Sequence, residues 1–309
     1  MKEWVEILQS IDVENGTGRA SGTVNGKQGD NLETVYYLKD WHLQQIRSQK
    51  EVQTKPQQLY SCPGIFQHDL LNPFLIKYTK GDFRFCYWGP ANSSTLRHSD
   101  VMHSFSWSYN VHGTKEWTFF SPYDDSETFS VLQKTGQAIF VPATWQHRVV
   151  NLEETISINH NWITASNLDL TWECLKTEIA AIRDELMKWQ GENMEHDMEA
   201  CENMLRGCVG LDVSSFFFMT LMRLTEVIAS LLLLLEDHDA DKNQTQQHMA
   251  RLVEMSRLTD VLEKVMCFNQ DLVQLGDRIS VTMQSETFAF EAERMAKSLI
   301  EWVTSLISR

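Results

Sequence analysis

The chain of 309 residues has six cysteines, at 62, 86, 174, 201, 208 and 267, and no two form a C-x-x-C pair. Paired-thiol zinc sites and thioredoxin-like redox centres are thereby excluded. Free, mostly structural thiols in a reducing cytosol or nucleus are the expectation. The opening "MKEWVEILQS" lacks the apolar core of a secretory leader, and a cytoplasmic location, with the nucleus as the alternative, is the expectation. The three N-x-[ST] matches at Asn15, Asn92 and Asn243 then count as chance. The longest apolar run, "VIASLLLLL" at 227–235, is too short to span a bilayer and follows Arg223 and Glu226, so it predicts a buried helix and no membrane partner. There is no basic tail, no zinc finger and no solenoid-type repeat. With 27 Lys and Arg against 42 Asp and Glu the net charge is -15, which repels phosphate backbones and argues against direct nucleic-acid binding.

The negative charge is unevenly spread. Residues 165–309 hold 13 Lys and Arg against 25 Asp and Glu, whereas residues 1–164 hold 14 against 17. Residues 1–10 read as a short helix. Residues 14–30, "ENGTGRASGTVNGKQGD", are Gly-rich and polar, hence a predicted loop. Within them "GTVNGKQ" falls short of a phosphate-binding loop: its glycine spacing is one residue too small, and Gln28 stands where Ser or Thr should hold magnesium.

From about 82 to 162 the pattern is strand throughout. "FRFCYWGP", "STLRHSDV", "SFSWSYNVHG", "KEWTFFSP", "TFSVLQKTG", "QAIFVPATW", "HRVVNLE" and "TISINHNW" are eight short runs rich in aromatic and β-branched residues, punctuated by Gly, Pro, Asn and Asp. Eight such strands predict a jelly-roll or barrel. After residue 165 the period changes. Trp172, Leu175, Ile179, Ile182, Leu186 and Trp189 recur at steps of three and four, the mark of an amphipathic helix. Similar patterns fill 213–235, 247–268 and 286–307. Their Met and Leu stripes predict either the core of a compact helical domain or a homodimer seam. The expected division is therefore an N-terminal piece over 1–32, a β-domain over 33–165 and an acidic helical region over 166–309.

His98 and Asp100 lie two apart in a strand-like run, so they share a face. A buried imidazole beside a carboxylate needs partners. The pair is either a structural hydrogen bond or two metal ligands awaiting a third. His147, in "AIFVPATWQHRVV", is the candidate third, and two histidines with one carboxylate form the facial set of non-haem Fe(II) oxygenases. Among ten histidines a later one was almost guaranteed, so spacing alone favours the structural reading.

The surrounding residues alter that balance. "YLKDWHL" (37–43), "FRFCYWGP", "STLRHSDV", "SFSWSYNVHGTKEWTFF", "FVPATWQH" and "ETISINHNW" together resemble the JmjC domains of the Fe(II)/2-oxoglutarate oxygenases. The resemblance runs from about 33 to 165 and weakly beyond. It implies a double-stranded β-helix of the cupin type, with Fe(II), 2-oxoglutarate and O2 as cofactor and co-substrates. By the same resemblance His98, Asp100 and His147 match the iron ligands. Lys115, Thr95 and Tyr37 match the groups that hold the distal carboxylate of 2-oxoglutarate, with Tyr36 the alternative to Tyr37. Phe105, Trp107, Phe119 and Phe140 are expected to line the site, and His103, His112 and His160 to be structural or at the surface, with His160 the one that could support a metal ligand from behind.

The implied activity is protein hydroxylation at a lysine side chain of a translation termination factor. Histone lysine demethylation and a catalytically silent interaction role are the alternatives. Only 47 positions separate Asp100 from His147, fewer than is usual in the family. With all eight strands countable, the loss is expected in the loop after "FFSPYDD".

Overall fold

A computed structural model describes residues 19–24, 34–50, 59–79, 81–124, 126–190, 198–235, 242–274, 294, 297–298 and 300–301. The expected helix over 1–10 and nearly all of the one over 286–307 lie outside these residues. The chain divides into two compact units, Met1–Trp162 and Ile163–Arg309.

The first unit contains ten described strands: β1 (Arg19–Val24), β2 (Thr34–Trp41), β3 (Arg84–Gly89), β4 (Ser94–His98), β5 (Phe105–His112), β6 (Lys115–Phe120), β7 (Thr128–Gln133), β8 (Ala138–Val141), β9 (Gln146–Asn151) and β10 (Thr155–Trp162). Short helices α1 (Leu43–Lys50) and α2 (Leu71–Tyr78) lie between β2 and β3. The eight expected runs are β3 to β10. Two antiparallel sheets result, a larger one in the order β1-β2-β3-β10-β5-β8 and a smaller one in the order β4-β9-β6-β7. The connection from β6 to β7 spans only residues 121–127, so all eight strands survive the short spacing.

One expectation fails. Arg19–Val24, placed in the Gly-rich loop, is a strand that pairs with β2 from Arg19↔Lys39 to Val24↔Thr34. The ready-made edge of β2 satisfies its backbone, and such tertiary pairing overrides weak local propensity.

Alternation along the larger sheet sets up two unlike faces. In β5, Trp107 and Val111 face outward into aromatic and aliphatic clusters with Phe66, Ile158 and Trp162, and with Trp41, Leu43, Cys86 and Ile156. The intervening Ser106, Ser108 and Asn110 turn the other way, together with Ser157 and Asn159 of β10. The smaller sheet turns Trp117, Phe119 and Val149 inward around Val141. The interior is therefore apolar on one wall and hydroxyl- and amide-rich on the other.

The second unit is helical: α3 (Leu168–Gln190), α4 (Met198–Val209), α5 (Val213–Leu235) and α6 (Lys242–Gln274). Of these, α4 was not expected; its stripe of Cys201, Leu205 and Val209 is short and interrupted by charge. The stripes of α3, α5 and α6 are buried within one chain, with Trp172 stacked on Phe216 at 5.9 Å and Leu224, Val227, Leu258, Val261 and Leu262 fully enclosed. The 227–235 run belongs to a longer helix than its own length implied. By length and composition Val213–Leu231 could cross a membrane, but 61% of that stretch is buried inside the protein, as befits a core helix.

Candidate active site

Register brings the site together. β4 and β9 are antiparallel neighbours in which His98 stands directly opposite His147, after a bulge between Thr95 and His98. Their rings lie 4.3 Å apart. Asp100 is not in the strand, which ends at His98. The backbone stays extended through Asp100 (φ -65°, ψ 144°) before a tight turn over Val101–His103. That extension keeps His98 and Asp100 on one side, as i and i+2 demand. One ligand atom from each of His98, Asp100 and His147 falls within 4.8 Å of the others.

The donors are pre-set for metal. His98 Nδ1 lies 2.8 Å from the Leu96 carbonyl and His147 Nδ1 lies 3.2 Å from that of Trp145. A carbonyl can only accept, so each Nδ1 carries the proton and each Nε2 lone pair is free. Burial lowers the His147 pKa, which keeps the ring neutral, the form that ligates. Asp100 accepts a 2.7 Å bond from Ser106 Oγ on β5, which fixes one carboxylate oxygen. Such outer partners orient metal ligands in known sites. The residues present therefore fit a divalent ion bound by two nitrogens and one oxygen, at bonds of about 2.0–2.2 Å.

The same pocket continues away from this cluster. Tyr37, Tyr87, Thr95, Ser106, Ser108, Lys115, Val149 and Asn159 line it with the two histidines, Trp107 and Trp117. On β6 Phe119 pairs with His147, and Lys115 comes four residues earlier, opposite Asn151. At about 3.3 Å per residue this places Lys115 roughly 13 Å along the sheet from the histidine level. Lys115 is 1% exposed. Its Nζ donates to Ser157 Oγ at 2.6 Å and faces the Tyr87 ring at 5.8 Å. Among the described residues no carboxylate pairs with it. Burial pulls its pKa down to about 7.

Tyr37 is buried, whereas Tyr36 is 68% exposed, so Tyr37 is the tyrosine of the pocket. Its hydroxyl bonds with Asn151 and Thr95, while burial raises its pKa. Thr95 also lines the cavity. Gly89 makes room for this corner, since a Cβ there would lie 2.5 Å from both Tyr37 Cδ2 and Ser93 Oγ.

The expected aromatic lining is only partly right. Trp107 borders the pocket from β5, but its ring is stacked on Phe66 on the outer face of the sheet. Phe119 lies in the core of the smaller sheet with its ring 6.0 Å from that of His147. Phe140 is 44% exposed on the edge strand, and Phe105 packs on it. The cause is the alternation of "FSWSY", which sends the serines inward.

His160 is structural: buried, tilted against the Trp107 ring at 4.2 Å and bonded to Tyr60 Oη at 2.6 Å. Burial holds its pKa down at about 3, so it stays neutral. His103 and His112 are half-buried and line no part of the pocket. Tyr87, Ser106, Ser108, Ser157 and Asn159 were missed. Small polar residues at every second position of "FSWSYN" and "ISINHN" were the available signal.

Comparison with known proteins gives the chain a family. A model of the JmjC domain, described as a hydroxylase, matches residues 125–162, the stretch holding β7 to β10 and His147. A Drosophila melanogaster protein, the 2-oxoglutarate and iron-dependent oxygenase JMJD4 homolog, is 31% identical over 87% of this chain and 67% of its own length. The zebrafish (Danio rerio) oxygenase JMJD4 is 33% identical over 58% of this chain and 48% of its own. An Arabidopsis thaliana protein named arginine-specific demethylase JMJ20 is 31% identical over 75% of this chain and 58% of its own. The chain thus spans two thirds of the fly protein and about half of the zebrafish one. With a relative aligned along most of this chain and two thirds of its own length, and the family's domain matched over β7 to β10, the chain belongs to the JmjC family of oxygenases.

Proposed function

We propose that the chain is an Fe(II)- and 2-oxoglutarate-dependent protein hydroxylase. In this reading β3 to β10 form a double-stranded β-helix around the pocket. Its substrate is a lysine side chain of a translation release factor, hydroxylated at carbon in the cytoplasm. The observation that carries the reading is a single pocket with two unlike ends. At one end three metal-type donors converge. At the other a buried lysine has no carboxylate partner among the described residues.

Iron held there, with 2-oxoglutarate and O2, supplies oxidative decarboxylation to succinate and CO2 coupled to insertion of one oxygen atom into a C–H bond. The chain's residues select and hold. His98 and His147 offer neutral Nε2 donors, and Asp100 offers one carboxylate charge, steadied by Ser106. Lys115 supplies the counter-charge for the far carboxylate of a dicarboxylate, a charge-assisted contact that Thr95 and Tyr37 extend. The separation of about 13 Å between the two ends, measured along the backbone, leaves space for a short dicarboxylate between inward-pointing side chains. Trp117 and Val149 border the same cavity and limit the water in it.

Incubation with a release-factor peptide under Fe(II), 2-oxoglutarate and air tests the substrate. The reading predicts gain of one oxygen on a lysine, with stoichiometric succinate. The plant relative named as a demethylase supports a second reading, removal of N-methyl groups. Formaldehyde release from a methylated peptide, with no oxygen retained on the product, would favour it.

A further inference from the structure

Strand β2 lies outside the eight strands of the core, yet one of its residues is built into the pocket. In the pairing of β2 with β3, Leu38 stands opposite Trp88 and Trp41 opposite Cys86. Two residues, Lys39 and Asp40, therefore face the single residue Tyr87, which defines a β-bulge. Asp40 occupies the left-handed region at φ 54°. A bulge that needs this conformation usually takes glycine, which adopts it without steric cost. An aspartate there gives up that ease, and its side chain has a specific contact: Tyr87 Oη donates to Asp40 Oδ1 at 2.8 Å.

Tyr87 in turn meets two of the three groups assigned to the far carboxylate, Lys115 and Tyr37. Lys115 Nζ lies 5.8 Å from its ring centroid, within cation–π range. The Tyr37 ring meets it edge to face, at 6.0 Å and 89°. Without the bond to Asp40, Tyr87 could swing into the space beside Lys115, because its ring lines the cavity rather than the packed core. We propose that Asp40 is a positioning residue: its carboxylate clamps Tyr87, and Tyr87 holds Lys115 and Tyr37 in the arrangement that receives a dicarboxylate. The inference rests on reading this pocket as the 2-oxoglutarate site.

Two substitutions suit the backbone conformation, so clamp and fold can be separated. Asp40→Gly keeps the left-handed bulge and deletes the carboxylate. Asp40→Asn keeps the bulge and retains an acceptor oxygen, asparagine being tolerated there. The full chain is loaded with Mn(II), and 2-oxoglutarate binding is measured by calorimetry, with no turnover involved. Losing a hydrogen bond to a charged acceptor predicts about tenfold weaker binding for Asp40→Gly. Asp40→Asn should restore most of the affinity. Tyr87→Phe should match Asp40→Gly, and the double variant should be no weaker than either single one, because both remove the same bond. Wild-type affinity in Asp40→Gly, or full additivity in the double variant, overturns the inference. Lys115→Met separates the layers. If it binds weakly while Asp40→Gly binds normally, only the clamp is wrong. If Lys115→Met binds like wild type, the reading of the pocket fails and the clamp with it.

Discussion

Lys115 is the residue on which the chemistry of the far end turns. A buried ammonium without a carboxylate is costly, and the protein answers with one serine hydroxyl and one ring face. Replacing it with methionine keeps the apolar stem and removes the charge. Breaking a buried ion pair costs about 3–5 kcal/mol, so 2-oxoglutarate affinity should fall by roughly a hundredfold or more. Metal binding by His98, Asp100 and His147 should be retained; metal content and the 2-oxoglutarate titration, taken together, check both. A pH dependence follows from the same residue. In the empty pocket the lysine pKa is about 7, and a bound carboxylate favours the charged form. Above that pH the free protein has lost the proton, so binding must recover it, and affinity should fall as pH rises from 7 to 9. Calorimetry in buffers of different ionisation enthalpy should register net proton uptake at pH 8 in wild type and none in Lys115→Met.

Among the elements, β3 and β9 show how closely the strands are fitted to the site. Gly89 at the end of β3 faces Tyr37, Ser93 and Asn151. Gly89→Ala forces them apart, and overpacking of this kind costs about 1–3 kcal/mol. A lower unfolding midpoint, together with weaker 2-oxoglutarate binding through the displaced Tyr37, is the expected outcome. The strands themselves were legible in the sequence because aromatic and β-branched runs are bounded by turn residues. The cluster of His98, Asp100 and His147 was legible through the spacing of the first two together with the family's motifs. The polar wall was not, because Ser106, Ser108, Ser157 and Asn159 acquire meaning only when β5 and β10 pair and turn one face inward. Likewise Asp40 reads as an ordinary strand-end acid until the bulge aims it at Tyr87. The strand Arg19–Val24 stayed hidden because its pairing partner, not its composition, makes it a strand.

At the scale of the whole molecule, the helical unit adds a pH sensitivity of its own among the described residues. In the helical unit Glu202 is 1% exposed, and the Ser214 backbone N–H donates to it at 3.3 Å. Burial first, then the nearby Asp212 carboxylate, raises its pKa to about 8. A folded pKa above the unfolded value means the folded chain holds a proton that the unfolded chain releases. This contribution is fully present below about pH 4.5 and is lost as pH rises through about 8. Thermal unfolding followed between pH 5 and 9 should show the helical unit weakening across this window, and Glu202→Gln should flatten that dependence. A wild-type profile indistinguishable from that of Glu202→Gln would mean that Glu202 ionises normally.

The central claim concerns the pocket, where two unlike ends hold a metal and a dicarboxylate together. Its most direct test is an anaerobic titration of 2-oxoglutarate into the Fe(II)-loaded chain, followed by the metal-to-ligand charge-transfer absorption that appears only when the keto acid chelates the iron. The account predicts a saturable band in wild type, no band in His147→Ala, and a band in Lys115→Met that needs roughly a hundredfold or more 2-oxoglutarate. Iron bound with no such band, or a band unchanged by both substitutions, would contradict it.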